Sequence, residues 1–320
     1  RHDHREQPYR FNWQTPIVLS PQNQDIIYLG SNYLHRSLDQ GDNWEVISED
    51  LTKGGKKGNV AFGALTAISE SPLKFGLIYA GSDDGLVHLS KNGGSNWDLI
   101  STELPQNLWI SRVVASKHKK ERVYLTLNGY RKDDFTPYVY MSNDYGNSWK
   151  NIASNIPASP VNVIIEDPEN ENLLFIGTDN GLYMSVSQGD SWELFQNGIP
   201  NVAVHDLVIQ PEAKDLLVGT HGRSIYKVNI SCLQQINKEV LARELHVFNP
   251  DKLKHSQSWG NPGNSWSIPD TPGLDIVVYS KNSVNYSVKV YSKDKTVVSE
   301  SLLNADEGIN IISYDVAFSK

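Results

Sequence analysis

The chain has 320 residues, 39% of them hydrophobic and 21% charged, and a formal net charge of −8 at pH 7. Such a length suits one large globular domain, with or without a small second one. The acidic balance argues against a nucleic-acid binder, which needs a concentrated basic face. A single cysteine, Cys232, excludes an internal disulfide and a cysteine-rich zinc site. No apolar run is long enough to predict a membrane span.

The chain begins Arg1-His2-Asp3-His4, with neither an initiator methionine nor a signal peptide. We interpret it as a processed or excised fragment, whose targeting segment would lie upstream. Two histidines two residues apart near a chain end are a weak metal-site pattern, and the Asp-rich loops contain no EF-hand. We therefore expect no metal and no cofactor.

Four eight-residue segments, which we call octets, share the pattern Ser-x-Asp-x-Gly-x-x-Trp, with Asn92 or Ser187 replacing Asp in two of them. Their tryptophans are 53, 52 and 43 residues apart. A period of this size with short strands predicts a β-propeller built from four-stranded blades. The octet residues are Ser37, Asp39, Gly41 and Trp44; Ser90, Asn92, Gly94 and Trp97; Ser142, Asp144, Gly146 and Trp149; and Ser185, Gly189 and Trp192.

Short β-branched and aromatic runs surround every octet and predict strands A to D of each blade. The predicted strands are 15–19, 26–29, 33–37 and 44–47; 64–68, 77–80, 86–89 and 97–100; 112–115, 122–126, 138–141 and 149–152; 161–165, 173–176, 182–185 and 192–195. A fifth unit has only 204–209, 216–218 and 224–228. Residues 7–11 would supply its fourth strand, or the ring is larger and continues upstream, which we prefer. The blades span about 13–50, 63–102, 110–154, 160–197 and 202–230.

The chain changes character after residue 230. Apolar residues at helical spacing in 233–243 predict a helix within a connector at 231–250. Residues 251–272 are rich in Gly, Pro, Asn and Ser, which is typical of a linker. Alternating runs at 274–280, 286–291, 296–300 and 309–316 predict a small Ig-like β-sandwich at 273–320.

Each octet lies between strands C and D, where its residue types suit a hairpin turn. Ser and Asp side chains bond turn amides, Gly permits positive φ, and Trp can bury its ring on a neighbouring sheet. Because four equivalent copies do not make one catalytic centre, we interpret the octets as structural.

The octet is identified as an Asp-box, or BNR repeat, so the chain resembles the Asp-box β-propeller superfamily. That superfamily includes sialidases, xyloglucanase-like glycoside hydrolases, the sortilin (Vps10) luminal domain and photosystem II assembly factors. Segments 9–17 and 219–226 most resemble bacterial secreted sortilin-like or glycosyl-hydrolase-like BNR-repeat proteins. The resemblance implies an all-β propeller followed by an Ig-like module, in an extracellular, cell-surface or periplasmic protein. It also implies packing on an upstream propeller of the same parent.

The leading functional hypothesis is a non-catalytic binding or scaffold module that takes a protein or glycan on the edge formed by the B–C and D–A connections. Aromatic faces beside polar donors suit stacking on sugars or clasping a peptide. The candidate residues are Trp13, Trp109, Tyr130, Arg131, His205, His221 and Arg223.

The alternative is a xyloglucanase-like glycoside hydrolase, whose two carboxylates would be shared with the upstream propeller. Asp83 and Asp84 are its weak catalytic candidates, since ordinary hairpin-turn chemistry already explains both. A third possibility is a purely architectural part of a surface complex.

Overall fold

The computed structural model describes residues 9–56, 62–196, 198–250, 253, 256, 259, 264–266 and 273–315. It divides into two compact units, residues 1–234 and 235–320. The first unit contains five small antiparallel sheets that follow one another along the chain. In the described part of the chain, no helix is long and apolar enough to cross a membrane.

Each of the first four sheets has four strands in sequential order, and the fifth has three. The strands are β1 (Ile17–Leu19), β2 (Ile27–Gly30), β3 (Leu34–Ser37) and β4 (Glu45–Val46); β5 (Leu65–Glu70), β6 (Ile78–Ser82), β7 (Val87–Ser90) and β8 (Asp98–Leu99); β9 (Trp109–Ala115), β10 (Val123–Asn128), β11 (Tyr138–Ser142) and β12 (Lys150–Asn151); β13 (Val161–Glu166), β14 (Leu174–Thr178), β15 (Gly181–Ser185) and β16 (Glu193–Leu194); and β17 (Val204–Gln210), β18 (Asp215–Thr220) and β19 (Ile225–Asn229).

These strands lie where the sequence predicts them, with shifts at their ends. The last strand of each four-stranded sheet is only two residues long and begins just after the octet tryptophan. Strand β9 begins at Trp109, three residues before the predicted start, and a β-bulge opposite Thr126 and Leu127 accommodates the added length. Trp109 is therefore a strand residue paired with Asn128.

The first strands of successive sheets line up side by side, as in a β-propeller. Strand β5 packs on β9, β9 on β13, and β13 on β17. A polar side chain in β5 and another in β9 cross to the next sheet: Thr66 donates to the Ile110 carbonyl at 2.7 Å, and Ser111 to that of Val161 at 2.8 Å. These bonds join the first strands of neighbouring sheets.

The octets organise their turns through the serine hydroxyl. In the third octet Ser142 Oγ donates to Asp144 Oδ1 at 2.7 Å and accepts the Gly146 N–H at 2.8 Å. Asp144 Oδ1 also accepts the Ser148 N–H at 2.9 Å, so one carboxylate bridges the turn. In the fourth octet Ser187 Oγ accepts the corresponding Ser191 N–H at 3.1 Å, which replaces the bond to aspartate.

The octet tryptophans fasten each sheet to the one before it. The indole N–H of Trp97 donates to the Ile47 carbonyl at 2.9 Å, that of Trp149 to Ile100 at 2.8 Å, and that of Trp192 to Ile152 at 2.6 Å. Each acceptor directly follows the last strand of the preceding sheet. The ring is thus partly buried at Trp97 and Trp149 and fully buried at Trp192, while its one donor is satisfied.

The octet glycine lies at the same seam. Gly146 has φ +85°, and a Cβ there would stand 2.6 Å from Ile100 Cδ1. Gly189 meets Ile152 in the same way. Glycine is therefore required twice, by the turn conformation and by the close approach of the preceding sheet.

A second seam joins the sheets at the ends of their first strands. Glu70 ends β5, is buried, and accepts hydrogen bonds from Ser20 Oγ at 2.5 Å and Tyr28 Oη at 3.2 Å in the first sheet. Glu166 ends β13 and accepts from Ser116 Oγ at 2.9 Å and Tyr124 Oη at 3.0 Å in the third sheet. Burial, reinforced by the nearby carboxylate, raises the pKa of both tyrosines.

At the two other junctions, residues other than glutamate hold the position at the end of the first strand. Ala115 ends β9 and packs in one cluster with Tyr79 of the second sheet, whose buried hydroxyl has no hydrogen-bond partner among the described residues. At the last junction Phe175 replaces the tyrosine, and Ile209 occupies the glutamate position. At the last junction both the carboxylate and the tyrosine hydroxyl are absent. At the junction between the second and third sheets the carboxylate is absent, but Tyr79 keeps its hydroxyl.

The second unit is smaller. The helix predicted at 233–243 is interrupted: α1 (Ser231–Gln234) ends the first unit, and α2 (Lys238–Ala242) opens the second. Asn237 caps α2 by accepting from the Glu239 and Val240 N–H groups, both at 3.0 Å. Two antiparallel sheets follow, one formed by β20 (Leu245–Val247), β21 (Gly273–Ser280) and β24 (Gly308–Asp315), the other by β22 (Val284–Tyr291) and β23 (Val297–Ala305). The linker predicted at 251–272 lies largely outside the described residues.

We predict opposite effects for two tyrosine-to-phenylalanine substitutions. Tyr124→Phe removes a donor from buried Glu166 and should lower the free energy of unfolding by about 1.5–3 kcal/mol. Tyr79→Phe removes an unpaired buried hydroxyl and should leave that free energy unchanged or raise it. Urea unfolding of the full chain, followed by circular dichroism, measures both variants. Equal losses for the two would contradict this account of the seam.

Candidate functional site

The B–C turns and the D–A connections emerge at one edge of the first unit, which we call the rim. Backbone bonds hold the two kinds of connection together in three sheets. The Asp83 N–H donates to the Ala64 carbonyl at 3.0 Å, Asp179 to Pro160 at 3.1 Å, and His221 to Ala203 at 2.9 Å. The rim therefore stands on a regular scaffold, and what differs between sheets is the side chains and one insertion.

The insertion connects β10 and β11 in the third sheet. It contains a 3₁₀ turn at Tyr130–Lys132, stopped by Asp133 in the left-handed region at φ 55°. Asp134 then accepts the Thr136 N–H at 3.0 Å and the Tyr138 hydroxyl at 2.8 Å. The bonds from Thr136 lower the pKa of the Asp134 carboxyl, with a further contribution from Tyr138. These bonds give the insertion a defined shape.

The shaped insertion presents an aromatic and cationic surface. The Arg131 guanidinium lies 4.2 Å from the centroid of the Trp109 ring, a cation–π contact. Tyr130 and Phe135 meet edge to face at 6.3 Å, and both are largely exposed. Three of the predicted candidates, Trp109, Tyr130 and Arg131, are thus neighbours.

In the fifth sheet a β-bulge brings two more candidates together. The bulge between Val204 and Asp206 leaves His205 outside the ladder and exposes both His205 and Asp206. The rings of His205 and His221 lie 5.2 Å apart and are inclined by 37°. Arg223 follows in the exposed β18–β19 turn.

Side chains that the sequence analysis did not select connect the third and fifth sheets. Arg112 Nη2 donates to Asp206 Oδ1 at 2.5 Å, although the two residues are separated by the fourth sheet. Arg112 Nε is buried without a hydrogen-bond partner among the described residues. The contact was not foreseeable from the sequence, because Asp206 reaches Arg112 only through the bulge.

A polar chain crosses the fourth sheet beside that ion pair. Asn128 donates to Asn162 Oδ1 at 2.8 Å, and Asn162 donates onward to Asp179 Oδ1 at 2.8 Å and to the Val204 carbonyl at 3.2 Å. Alignment of the first strands would have found Asn162, because Thr66, Ser111 and His205 hold the same place and are all polar. The rim cluster of the third to fifth sheets consists of Trp109, Arg112, Tyr130, Arg131, Asn162, His205, Asp206 and His221.

Trp13 lies on the first sheet, in the turn before β1, and is 94% exposed. Its neighbours in sequence contact that sheet: the ring of Tyr9 lies 4.8 Å from that of His35, and the Arg10 N–H donates to Asn32 Oδ1 at 2.9 Å. The described part of segment 7–11 therefore runs along the first sheet and does not complete the fifth. Gln7 and the His2-Asp3-His4 segment lie outside the described residues.

Asp83 and Asp84 are buried and fully engaged in holding the connection before β5. Asp83 Oδ1 accepts the Gly63 N–H at 2.8 Å, and Asp83 Oδ2 accepts Asn12 Nδ2 at 3.1 Å. Asp84 Oδ2 accepts the Lys53 N–H at 2.7 Å. Burial raises the pKa of Asp83, and the backbone N–H groups oppose that rise. This arrangement anchors a loop and places neither carboxylate at the exposed surface.

No protein-family model matches the chain, and no curated protein matches it. Among solved structures it is similar to the GH74 xyloglucanase from Xanthomonas campestris, with TM-score 0.55 and 12% identity over 95% of this chain and 45% of that one. It is also similar to a GH74 enzyme from Niastella koreensis, with TM-score 0.51 and 18% identity over 83% of this chain and 41% of that one. YCF48 from Cyanidioschyzon merolae aligns with TM-score 0.46 and 14% identity over 69% and 66%.

At these identities the likeness concerns the fold. It supports the β-propeller arrangement of the first unit, and the chain spans less than half the length of either GH74 protein.

We predict that Asp83 acts in stability. Asp83→Asn keeps the size of the side chain but turns amide hydrogens toward N–H donors, so it should cost about 1–3 kcal/mol of unfolding free energy. Asp42→Asn, at an exposed octet position, is the matched control and should change stability by less than about 0.5 kcal/mol. Chemical denaturation of both variants checks this, and an unchanged midpoint for Asp83→Asn would refute it.

Proposed function

We propose that the first unit is a non-catalytic binding module that holds a protein ligand on the rim cluster, through an anionic segment of that ligand. The observation that carries the proposal is the stacking of Arg131 on Trp109. A guanidinium held over an indole is oriented before any ligand arrives, and its N–H groups remain free to meet a carboxylate.

The same contact weighs against a glycan as the preferred ligand. Sugar rings bind aromatic side chains by stacking on an open face. Here Arg131 covers one face of Trp109, which is itself only half exposed. Exposed Tyr130 and Phe135 meet edge to face and offer smaller apolar contacts, of the kind that protein side chains use.

Charge on the rim supports an anionic ligand even though the chain as a whole is acidic. Within the described residues, Arg131, Lys132 and Arg223 are exposed and take part in no ion pair. Two nearby carboxylates are engaged, Asp206 by Arg112 and Asp134 by the insertion itself, whereas Asp133 is exposed next to Lys132 in the sequence. An approaching carboxylate would thus meet positive charge at Arg131 and Arg223, which favours both encounter and binding.

The rival proposal is a glycoside hydrolase of the xyloglucanase-like type, with catalytic carboxylates shared with an upstream propeller. Its support is the likeness of fold to GH74 proteins, and a fold hosts many functions. Hydrolysis needs two carboxyl groups facing the scissile bond. Asp83 and Asp84, the two candidates for that role, are committed to backbone N–H groups, which favours the binding module.

Peptides selected from a displayed random library against the full chain test the proposal. We expect selected peptides to be rich in Asp and Glu, and Arg131→Ala to weaken their binding about 10-fold, as loss of an interface hot spot does. Affinities are measured by calorimetry on synthetic peptides, each paired with a version in which Asn and Gln replace the acids.

Lys120→Ala is the matched control, because Lys120 is an exposed cation in the β9–β10 connection at the opposite edge. It should leave affinity unchanged. Equal binding of the neutralised peptides would contradict the proposal. So would release of reducing ends from xyloglucan that is lost in Asp83→Asn and Asp84→Asn, a result that would establish the hydrolase.

A further inference from the structure

The first sheet exposes an apolar face that the other sheets bury. We call Ile17, Leu19 and Trp44 the open face; their exposed fractions are 67%, 58% and 43%. Isolated apolar residues at a surface need no explanation, but a set on one face of one sheet does. The other four sheets of the unit provide an internal comparison for the two β1 residues, and the three other octets provide one for Trp44.

Strand register identifies the equivalents of the two β1 residues. Leu19 pairs with Ile27 as Glu70 pairs with Ile78, so both hold the position that meets the preceding sheet. At that position Glu70, Ala115, Glu166 and Ile209 are at most 6% exposed. Ile17 corresponds to Ile68, Val113, Ile164 and Leu207, all of them buried. Both residues are thus core positions that lack a covering sheet.

The octet of the first sheet shows the same lack. Trp97, Trp149 and Trp192 donate their indole N–H to a carbonyl of the preceding sheet, whereas Trp44 donates to Gly41 of its own turn at 2.9 Å. A Cβ on Gly41 would meet no other sheet within 4 Å, in contrast to the crowded Gly94, Gly146 and Gly189. The first octet therefore has the tryptophan and the glycine that join two sheets elsewhere, but among the described residues they contact no preceding sheet.

We propose that the open face is a docking surface for one further four-stranded sheet of the same repeat type. Three seams in this chain define the chemistry of the occupant. Its last strand is followed by a branched aliphatic residue, like Ile47, Ile100 and Ile152, whose carbonyl accepts the Trp44 indole N–H. Its edge then fills the space that the Gly41 turn leaves open.

Leu19 specifies a second feature of the occupant. Where the seam position is Glu, the preceding sheet offers a tyrosine hydroxyl; where it is Ile209, that sheet offers Phe175, and β14 packs on β17. An apolar Leu19 cannot accept a hydroxyl hydrogen bond, and a buried unpaired hydroxyl is costly. Tyr79 opposite Ala115 shows that one seam of this chain tolerates such an unpaired hydroxyl. We therefore expect Phe or another apolar residue to be favoured over Tyr in the second strand of the docked sheet.

The test appends a copy of residues 63–102 ahead of the full chain, with Phe replacing the copied Tyr79. The copy includes Ile100, whose carbonyl accepts the Trp149 indole N–H in the native chain. We expect the thermal midpoint to rise by about 4 °C or more, as it does when a domain of this size gains buried contacts. Leu19→Lys and Trp44→Phe should remove most of that rise in the extended chain, while changing the midpoint of the 320-residue chain little because both side chains are exposed there.

Leu73→Lys is the matched control, since Leu73 is 48% exposed in the β5–β6 turn, outside the open face. Leu73→Lys should change the thermal midpoint by the same amount in the 320-residue chain and in the extended chain. An unchanged midpoint on extension, or an equal cost of Leu19→Lys in the two chains, would overturn the proposal. Sedimentation of the 320-residue chain gives the other decisive result: a dimer dissociated by Leu19→Lys would assign the open face to a second copy.

Discussion

The architecture depends on the seam at which an octet tryptophan donates its indole N–H to the last strand of the preceding sheet. That hydrogen bond, repeated at Trp97, Trp149 and Trp192, lets a large ring be buried without leaving its donor unpaired. The adjacent glycine brings the two backbones close enough for the bond to form. One octet thus determines both its own turn and the position of its sheet against the neighbour.

Because the octets hold neighbouring sheets together, the connections at the rim can vary in sequence. The octets lie between the third and fourth strands of each sheet, at the edge opposite the B–C and D–A connections, so changes at the rim do not disturb the seams. One departure from regularity and one repeated feature create the cluster there. An insertion carries Arg131 over Trp109, and the bulge that recurs in the first strands of the second to fifth sheets precedes Asp206, which contacts Arg112 across the fourth sheet. Rigid sheets that carry variable connections are a common basis for recognition.

The sequence predicted the parts that repeat, because a strand or turn pattern that is weak in one sheet becomes convincing when it recurs in several. Octet spacing predicted the four-stranded sheets and their order, and strand composition located the fifth sheet and nearly every strand. It did not predict that the indole of Trp149 bonds to Ile100, since the acceptor is a backbone atom about one repeat away. The pairing of Tyr124 with Glu166 was missed for the same reason, although alignment of repeats could have revealed it. The continuous helix at 233–243 failed because Asn237 favours a cap over a helix interior.

The contrast between the two kinds of acidic residue supports the proposal that the rim recognises a ligand. A hydrolytic pair needs carboxyl groups whose environments separate their pKa values while both stay accessible to substrate. Asp83 is buried beneath three N–H donors, so the hydrogen bonds that stabilise its charge also close it to a substrate. Asp206 is exposed, but its charge is taken up by Arg112. Among the described residues, Arg131 is the exposed charge of the rim cluster that has no ion-pair partner, and this supports the proposal that the cluster holds an anion.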